Sequence, residues 1–281
     1  MAQRSVLVTG CSSGIGYCAA GLLRQRGYRV FASARKASDV ERLRGEGFQC
    51  LQLDLDDSAS IHSAVDRLLD ETGGRLYGLF NNAGYGQPGA IEDLDRAAIR
   101  AQFETNVFGT IELTSRLIPV MRRQGEGRII QNSSVLGFVS LAWRGAYNAS
   151  KYALEGFYDT LRLELAGSGV HAILIEPGPI TSRFRQNAKQ VFLRTVDREH
   201  SVHRDTYAAM LKRLEKEGPA APFTLPAEAV VGKVIKALEH IPPRPRYYVT
   251  FPTYLFGYLK RLLSSRSLDR VLHKISSGEN G

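Results

Sequence analysis

The sequence predicts an α/β fold: a doubly wound, mainly parallel seven-stranded sheet with helices on both faces. Three observations carry this. Short apolar runs alternate with longer segments of helical periodicity over most of the chain. The runs are near-continuously apolar, as strands buried on both faces require. The first run opens into a glycine-rich turn and then a helix, which is how such sheets approach a phosphate. Strand, helix and strand in one sheet imply right-handed crossovers.

Strand-like runs occupy residues 5–9 (SVLVT), 29–34 (RVFASA), 48–54 (FQCLQLD), 77–82 (YGLFNN), 128–134 (RIIQNSS) and 170–177 (VHAILIEP). Between the first two, Ile15, Cys18, Ala19 and Leu22 recur at helical spacing, and Gly27 closes the helix. Leu154, Phe157, Leu161 and Leu165 mark a long amphipathic helix through the segment AYNASKYALEGF at 146–157. After Pro177 the alternation stops, and residues 182–224 are rich in Arg, Lys, His and Gln. Pro226 then opens a helical pattern through Leu238, and PRPRYYVTF supplies a seventh, short strand. Residues 251–281 form a basic, amphipathic extension with Tyr254, Tyr258, Leu262 and Leu263 on one side. With no internal repeat or low-complexity linker, residues 1–281 are expected to form one domain.

Bulk properties narrow the class. The 281 residues are 43% hydrophobic and 23% charged, ordinary for a globular chain. No run of about 18 apolar residues exists to span a membrane, and SVLVTG turns straight into a glycine loop, so it reads as a buried strand, not a signal peptide. Cys11, Cys18 and Cys50 are odd in number and lack metal-like spacing. They are expected to be reduced thiols of a cytoplasmic protein with no metal site. The net charge of +9 raises nucleic acid or an anionic surface as partners, but no nucleic-acid motif accompanies it. The excess is uneven: Arg244, Arg246, Lys260, Arg261, Arg266, Arg270 and Lys274 face only Asp269 and Glu279 in the last segment. Residues 254–272 thus suit peripheral contact with an anionic membrane, or packing on the domain or a second subunit, the second being favoured.

The first strand runs into TGCSSGIG, where Gly10, Gly14 and Gly16 permit a tight turn and close backbone approach to a pyrophosphate. An NAD site would place a carboxylate at the end of the second strand. The sequence there is FASARK, with no acid before Asp39 and with Arg35 and Lys36 placed for a 2′-phosphate. This favours NADP(H) over NAD(H). Farther on, Tyr147 and Lys151 stand four residues apart, on one helical face. Of the twelve tyrosines, only Tyr147 has a lysine at that spacing.

TGCSSGIG, Asp54-Leu55, NNAG, Asn106 in ETNVFGT, Ser134, Tyr147-x-x-x-Lys151 and PGPIT occur in that order. The chain resembles the short-chain dehydrogenase/reductase family in its single-domain form with the T-G-x-x-x-G-x-G loop. By motif the resemblance covers about residues 4–181. It implies a Rossmann-type fold in which Gly10, Ser12, Ser13, Gly14, Ile15 and Gly16 cradle the cofactor pyrophosphate. Asp54 and Leu55 would flank the adenine, and Asn82, Ala83 and Gly84 would line the cofactor and steady the sheet centre. Pro177, Gly178, Ile180 and Thr181 would hold the nicotinamide end. Asn106, Ser134, Tyr147 and Lys151 would form the catalytic set, with Lys151 also binding the nicotinamide ribose and Asn106 holding a water that links Lys151 to solvent. A dimer or tetramer is a further expectation from the resemblance.

A tyrosine phenol, with an unperturbed pKa of about 10, is a poor acid–base group at neutral pH. A nearby ammonium would lower that value, so Lys151 is expected to bring Tyr147 toward the working range. Ser134, rather than its neighbour Ser133, would hydrogen-bond the reacting oxygen. The family places a substrate lid at about residues 182–224, where Phe184, Phe192, Tyr207, Met210 and Leu211 either line an apolar pocket or form the buried side of lid helices. His200 and His203 find no assignment. Tyr85, Gln87, Leu136, Phe138, Leu141 and Trp143 make the surroundings mostly apolar. The whole is similar to the hydroxysteroid and retinol dehydrogenase branch and to bacterial NADPH-dependent aldehyde reductases. The expectation is an NADP(H)-dependent oxidoreductase interconverting a carbonyl and an alcohol on a lipophilic small molecule. The alternative is a catalytically silent dinucleotide-binding redox sensor or scaffold; a nucleotide-sugar epimerase is disfavoured by glycine spacing and length.

Overall fold

The computed structural model describes residues 3–219 and 221–278. Seven strands, β1 (Ser5–Val8), β2 (Arg29–Ala34), β3 (Gln49–Gln52), β4 (Gly78–Asn81), β5 (Gly127–Asn132), β6 (Val170–Glu176) and β7 (Arg246–Tyr248), form one sheet in the order β3-β2-β1-β4-β5-β6-β7. Every pairing is parallel. The chain winds outward from β1 to β3, then restarts at β4 on the other side of β1. This leaves a crevice at the carboxyl ends of β1 and β4, where such sheets bind ligands.

Strand residues alternate between two cores. Val6, Val8, Val30, Ala32, Phe80, Ile130 and Ile173 face one side and pack with α1 (Gly14–Gln25) and α9 (Ala227–Glu239). Leu7, Phe31, Leu79, Ile129 and Leu174 face the other, against α3 (Ser58–Thr72), α5 (Gly109–Gln124) and α6 (Gly145–Glu164). Each strand is therefore apolar on both faces, which is why the runs in the sequence do not alternate. The second helix, α2 (Ala37–Gly45), follows β2, and α4 (Arg96–Phe103) leads through a π-helical segment, Glu104–Phe108, into α5.

Two lid helices, α7 (Phe184–Thr195) and α8 (Arg204–Glu215), follow β6. The extension is two helices, α10 (Phe251–Leu262) and α11 (Ser265–Gly278). Leu263 is extended (φ −91°, ψ 145°) and separates them. Phe256 and Leu272 bury against Leu136 and Val139, with Leu259, Leu268, Val271 and Ile275 around them. Packing on the domain thus accounts for the inner face of the extension, while Tyr254, Tyr258 and Leu262 remain exposed. No helix among the described residues is long and apolar enough to cross a membrane.

Candidate active site

The residues singled out in the sequence follow the carboxyl ends of β1, β4, β5 and β6, so the topology gathers them in one crevice. Gly10 has φ +72°, and a Cβ there would lie 2.9 Å from Ala83 Cα. A Cβ at Gly16 would collide with the Gly10 carbonyl. Both positions need glycine because the loop folds back on itself at the start of α1. That leaves a Cβ-free backbone cradle, open at a helix N-terminus and suited to a pyrophosphate. Asn82 Nδ2 donates to the Thr9 carbonyl at 3.0 Å and pins the loop to β4. Ser12 and Ser13 lie in the loop, Ser13 as the N-cap of α1, and Ile15 packs beside the core.

Arg35 and Lys36 stand exposed just past β2, while Asp39 pairs with Arg42 at 3.6 Å. Asp54 Oδ1 accepts from the Asp56 amide at 3.1 Å, and Leu55 is buried against Gly109. Gly84 lies against the Asn106 side chain. Pro177 accepts the Val135 amide at 2.8 Å, tying it to the segment after Ser134. Gly178 has no room for a side chain beside Thr250, and Ile180 and Thr181 bridge to Leu225.

Ser134 is buried at the N-cap of a short 3-10 turn, where its Oγ accepts the Leu136 amide at 3.1 Å. Tyr147 occupies the first turn of α6, and Lys151 lies one turn on, its Nζ 5.8 Å from the centroid of the phenol ring. Lys151 Nζ donates to the Asn132 carbonyl at 2.8 Å, and Asn132 Nδ2 donates to Asn82 Oδ1 at 3.0 Å. A continuous chain of contacts therefore runs from Lys151 through Asn132 and Asn82 to the glycine loop. Asn106 sits in the π-helical segment, a distortion common at functional sites. Its Nδ2 donates to the Tyr85 carbonyl at 2.9 Å and to Ser150 Oγ at 3.1 Å, while Oδ1 accepts the Tyr85 amide at 3.1 Å. Ser150 Oγ in turn donates to the Tyr147 carbonyl at 2.8 Å. The protein contacts of Asn106 thus steady Tyr85 and the first turn of α6, and the Asn132 carbonyl holds Lys151 Nζ.

Electrostatics overturn one expectation. Burial pushes the Tyr147 phenol up to about 12, with the hydrogen bond from Ser134 and the charge of Arg144 pulling the other way. Lys151 is not among the groups that lower it; burial drives that ammonium down to about 8, opposed by the charge of Glu155. The physical reason is that desolvation penalises both charged forms more than one residue's charge recovers. Tyr147 is held as a protonated phenol, ready to donate.

The apolar surroundings divide. Leu136, Phe138 and Leu141 join Tyr147 in a wall backed by α10 and α11, and Phe184 of the lid lies 5.3 Å from the Tyr147 ring. Phe192, Tyr207 and Met210 are instead buried with Ala90, Leu94 and Ala146, with Leu211 packed at the edge, so they hold the lid rather than line a pocket. Trp143 and Gln87 belong to that anchorage: Trp143 packs on His203 and Tyr207, and Gln87 Nε2 donates to Thr195 Oγ1 at 2.8 Å. Sequence reasoning missed Asn132, Ser150 and Glu155. Asn132 acts through its backbone carbonyl, which leaves no sequence signal. Glu155 had one, standing four residues beyond Lys151 on the same helical face. Among the described residues no cluster of His, Cys, Asp or Glu could hold a metal.

The family model for short chain dehydrogenase matches residues 4–191. The "Uncharacterized oxidoreductase YbbO" of Escherichia coli K12 is 46% identical over 270 residues, covering 96% of this chain and 94% of the relative. An "NADPH-dependent 3-dehydrocapnine reductase" of Ornithobacterium rhinotracheale is 34% identical over 282 residues, covering 97% of each. Human 17-beta-hydroxysteroid dehydrogenase type 1 is 35% identical over 265 residues, 89% of this chain and 78% of the relative. The chain belongs to the short-chain dehydrogenase/reductase family, on its hydroxysteroid and retinol dehydrogenase side. It is an oxidoreductase of the kind that acts on CH-OH groups with a nicotinamide cofactor.

Proposed function

We propose that the protein is an NADP(H)-dependent reductase and dehydrogenase that interconverts a carbonyl and an alcohol on a lipophilic small molecule. The observation that carries this reading is Tyr147 itself: a protonated phenol beside Ser134, facing an apolar wall and the Phe184 ring. Gly10 to Gly16 would hold the pyrophosphate, Arg35 and Lys36 the 2′-phosphate, and Pro177 to Thr181 the nicotinamide end. The nicotinamide supplies or accepts the hydride. In reduction Tyr147 gives its proton to the carbonyl oxygen and Ser134 Oγ donates a hydrogen bond to the same atom. Ser134 and the charge of Arg144 favour the phenolate left behind, and Lys151, held by the Asn132 carbonyl, would donate to the nicotinamide ribose. The name of the capnine reductase, with NADPH as reductant, supports the cofactor and the direction. A silent sensor would need none of this acid–base set.

The decisive experiment follows NADPH and NADH oxidation against panels of aldehydes, ketones, steroids and retinoids. Arg35→Ser and Lys36→Ser, made singly, are each expected to raise KM for NADPH by about 10–100-fold, given roughly 1.5–3 kcal/mol for each hydrogen bond to a charged group, with NADH use unchanged. Equal loss with both cofactors would remove the assignment of those two side chains.

The pH dependence has a definite sign. Lys151 carries its charge below about pH 8 and loses it above, so carbonyl reduction should decline as pH rises through that value. Oxidation requires the phenol to lose its proton first, and with Tyr147 held up to about 12 its rate should climb with pH. Rate profiles in both directions test this; a reduction rate independent of pH across that range contradicts the role given to Lys151.

A further inference from the structure

A second concave site lies on the far side of the Phe138 wall, between α9, the edge strand β7 and α10. It is a cavity of about 240 Å³ into which Lys233, Arg244, Arg246 and Arg261 project, together with tyrosines that include Tyr248 and Tyr258, and no carboxylate lines it. Arg246 is already neutralised from behind by Glu155, Glu176 and Asp159. Lys233, Arg244 and Arg261 make no ion pair among the described residues. They come from three separate elements, so their convergence is a product of the fold rather than of a local charge run.

Three uncompensated cations around one small space repel one another, and a bound anion would reverse that cost. Guanidinium groups present forked donors matched to phosphate oxygens, and the Tyr258 hydroxyl is a further donor at the rim. The rim is also apolar: Tyr258 is 63% exposed, and Phe251, Leu255 and Leu262 of α10 are exposed beside it. We propose that this cavity is a binding site for a phosphate-class anion, held by Lys233, Arg244 and Arg261. The phosphate comes either from a small phosphorylated solute or from an anionic lipid headgroup, with α10 resting on the lipid surface in the second case. The assignment is independent of the reaction proposed above.

The test uses the full chain saturated with NADPH, so that the glycine loop cannot take up phosphate. Inorganic phosphate and glycerol 3-phosphate are titrated calorimetrically at constant ionic strength. Flotation is measured with phosphatidylcholine vesicles, with and without phosphatidylglycerol. The variant Lys233→Gln/Arg244→Gln/Arg261→Gln is compared with a control of equal charge loss outside the cavity, Lys260→Gln/Arg266→Gln/Arg270→Gln. Saturable phosphate binding, weakened about tenfold or more in the first variant and kept in the control, supports the site with a solute as source. Flotation only with phosphatidylglycerol, lost in the first variant and kept in the control, supports it with lipid as source. Failure to bind either probe, an unaffected cavity variant, or equal loss in both variants overturns the proposal.

Discussion

Replacing Tyr147 with Phe is expected to lower kcat by about 10²–10⁴-fold, the usual share of a positioned acid–base group, while the Kd for NADPH stays within about twofold. The substitution keeps the ring, so the contact with Phe184 at 5.3 Å and the apolar wall survive. What is lost is the hydroxyl that Ser134 approaches and that burial holds protonated. The cradle for the pyrophosphate lies after β1 and does not depend on it. Stopped-flow single turnovers with a responsive substrate separate the two effects. Near-normal turnover, or weakened cofactor binding that accounts for the whole loss, would remove Tyr147 as the proton donor.

Arg246→Leu is expected to cost about 3–5 kcal/mol of unfolding free energy, as breaking a buried pair leaves charges uncompensated. Helix α6 carries Tyr147, Lys151, Glu155 and Asp159 at successive four-residue steps, so one face is catalytic at its start and structural farther on. Arg246 of β7 meets that structural part: Nη1 bonds Glu155 and, at 2.5 Å, Glu176, while Nη2 bonds both Asp159 oxygens at 2.7 Å. Glu176 is fully buried and Glu155 nearly so; Asp159 is partly exposed and keeps Arg162 at 2.6 Å when Arg246 is removed. Ser133 also donates to Glu155, immediately before Ser134.

The sign with pH follows from Glu176, whose pKa burial and the neighbouring Glu155 raise above the ordinary carboxylate range. A group with a raised folded pKa contributes stability at low pH that is lost as pH rises through the folded value. Without Arg246 that value rises further. Glu176 is protonated in both folded proteins below about pH 8, so the part of the deficit owed to it should be absent there and grow as pH rises above about 8. Urea denaturation at several pH values measures it. A deficit that does not change with pH would show that lost packing, not charge, is responsible.

Both predictions start from residues whose importance has different origins. Tyr147, Lys151, Ser134 and the glycine loop were legible because their signals are local: a four-residue spacing, a strand end, a turn that only glycine can make. The seven strands were legible for the same reason, since burial on two faces writes itself as continuous apolar runs. The proton affinities were not. Tyr147 was expected to be lowered by Lys151, yet both are shifted by burial, which segments far away in the chain impose. The lid residues Phe192, Tyr207 and Met210 read equally as pocket or core until α7 and α8 were seen against Ala90 and Ala146.

Sequence alone therefore determined the architecture, the cofactor loop and which side chains meet at the crevice, because periodicity and short motifs encode backbone course and helical faces. Tertiary structure decided what holds those side chains and how tightly each keeps its proton. It supplied Asn132 for Lys151, Arg246 between three carboxylates, and an uncompensated trio of cations from α9, α10 and the turn before β7. Solvation and counter-charge depend on distances in space, and residues 151 and 132, or 246 and 155, become neighbours only when the sheet has formed.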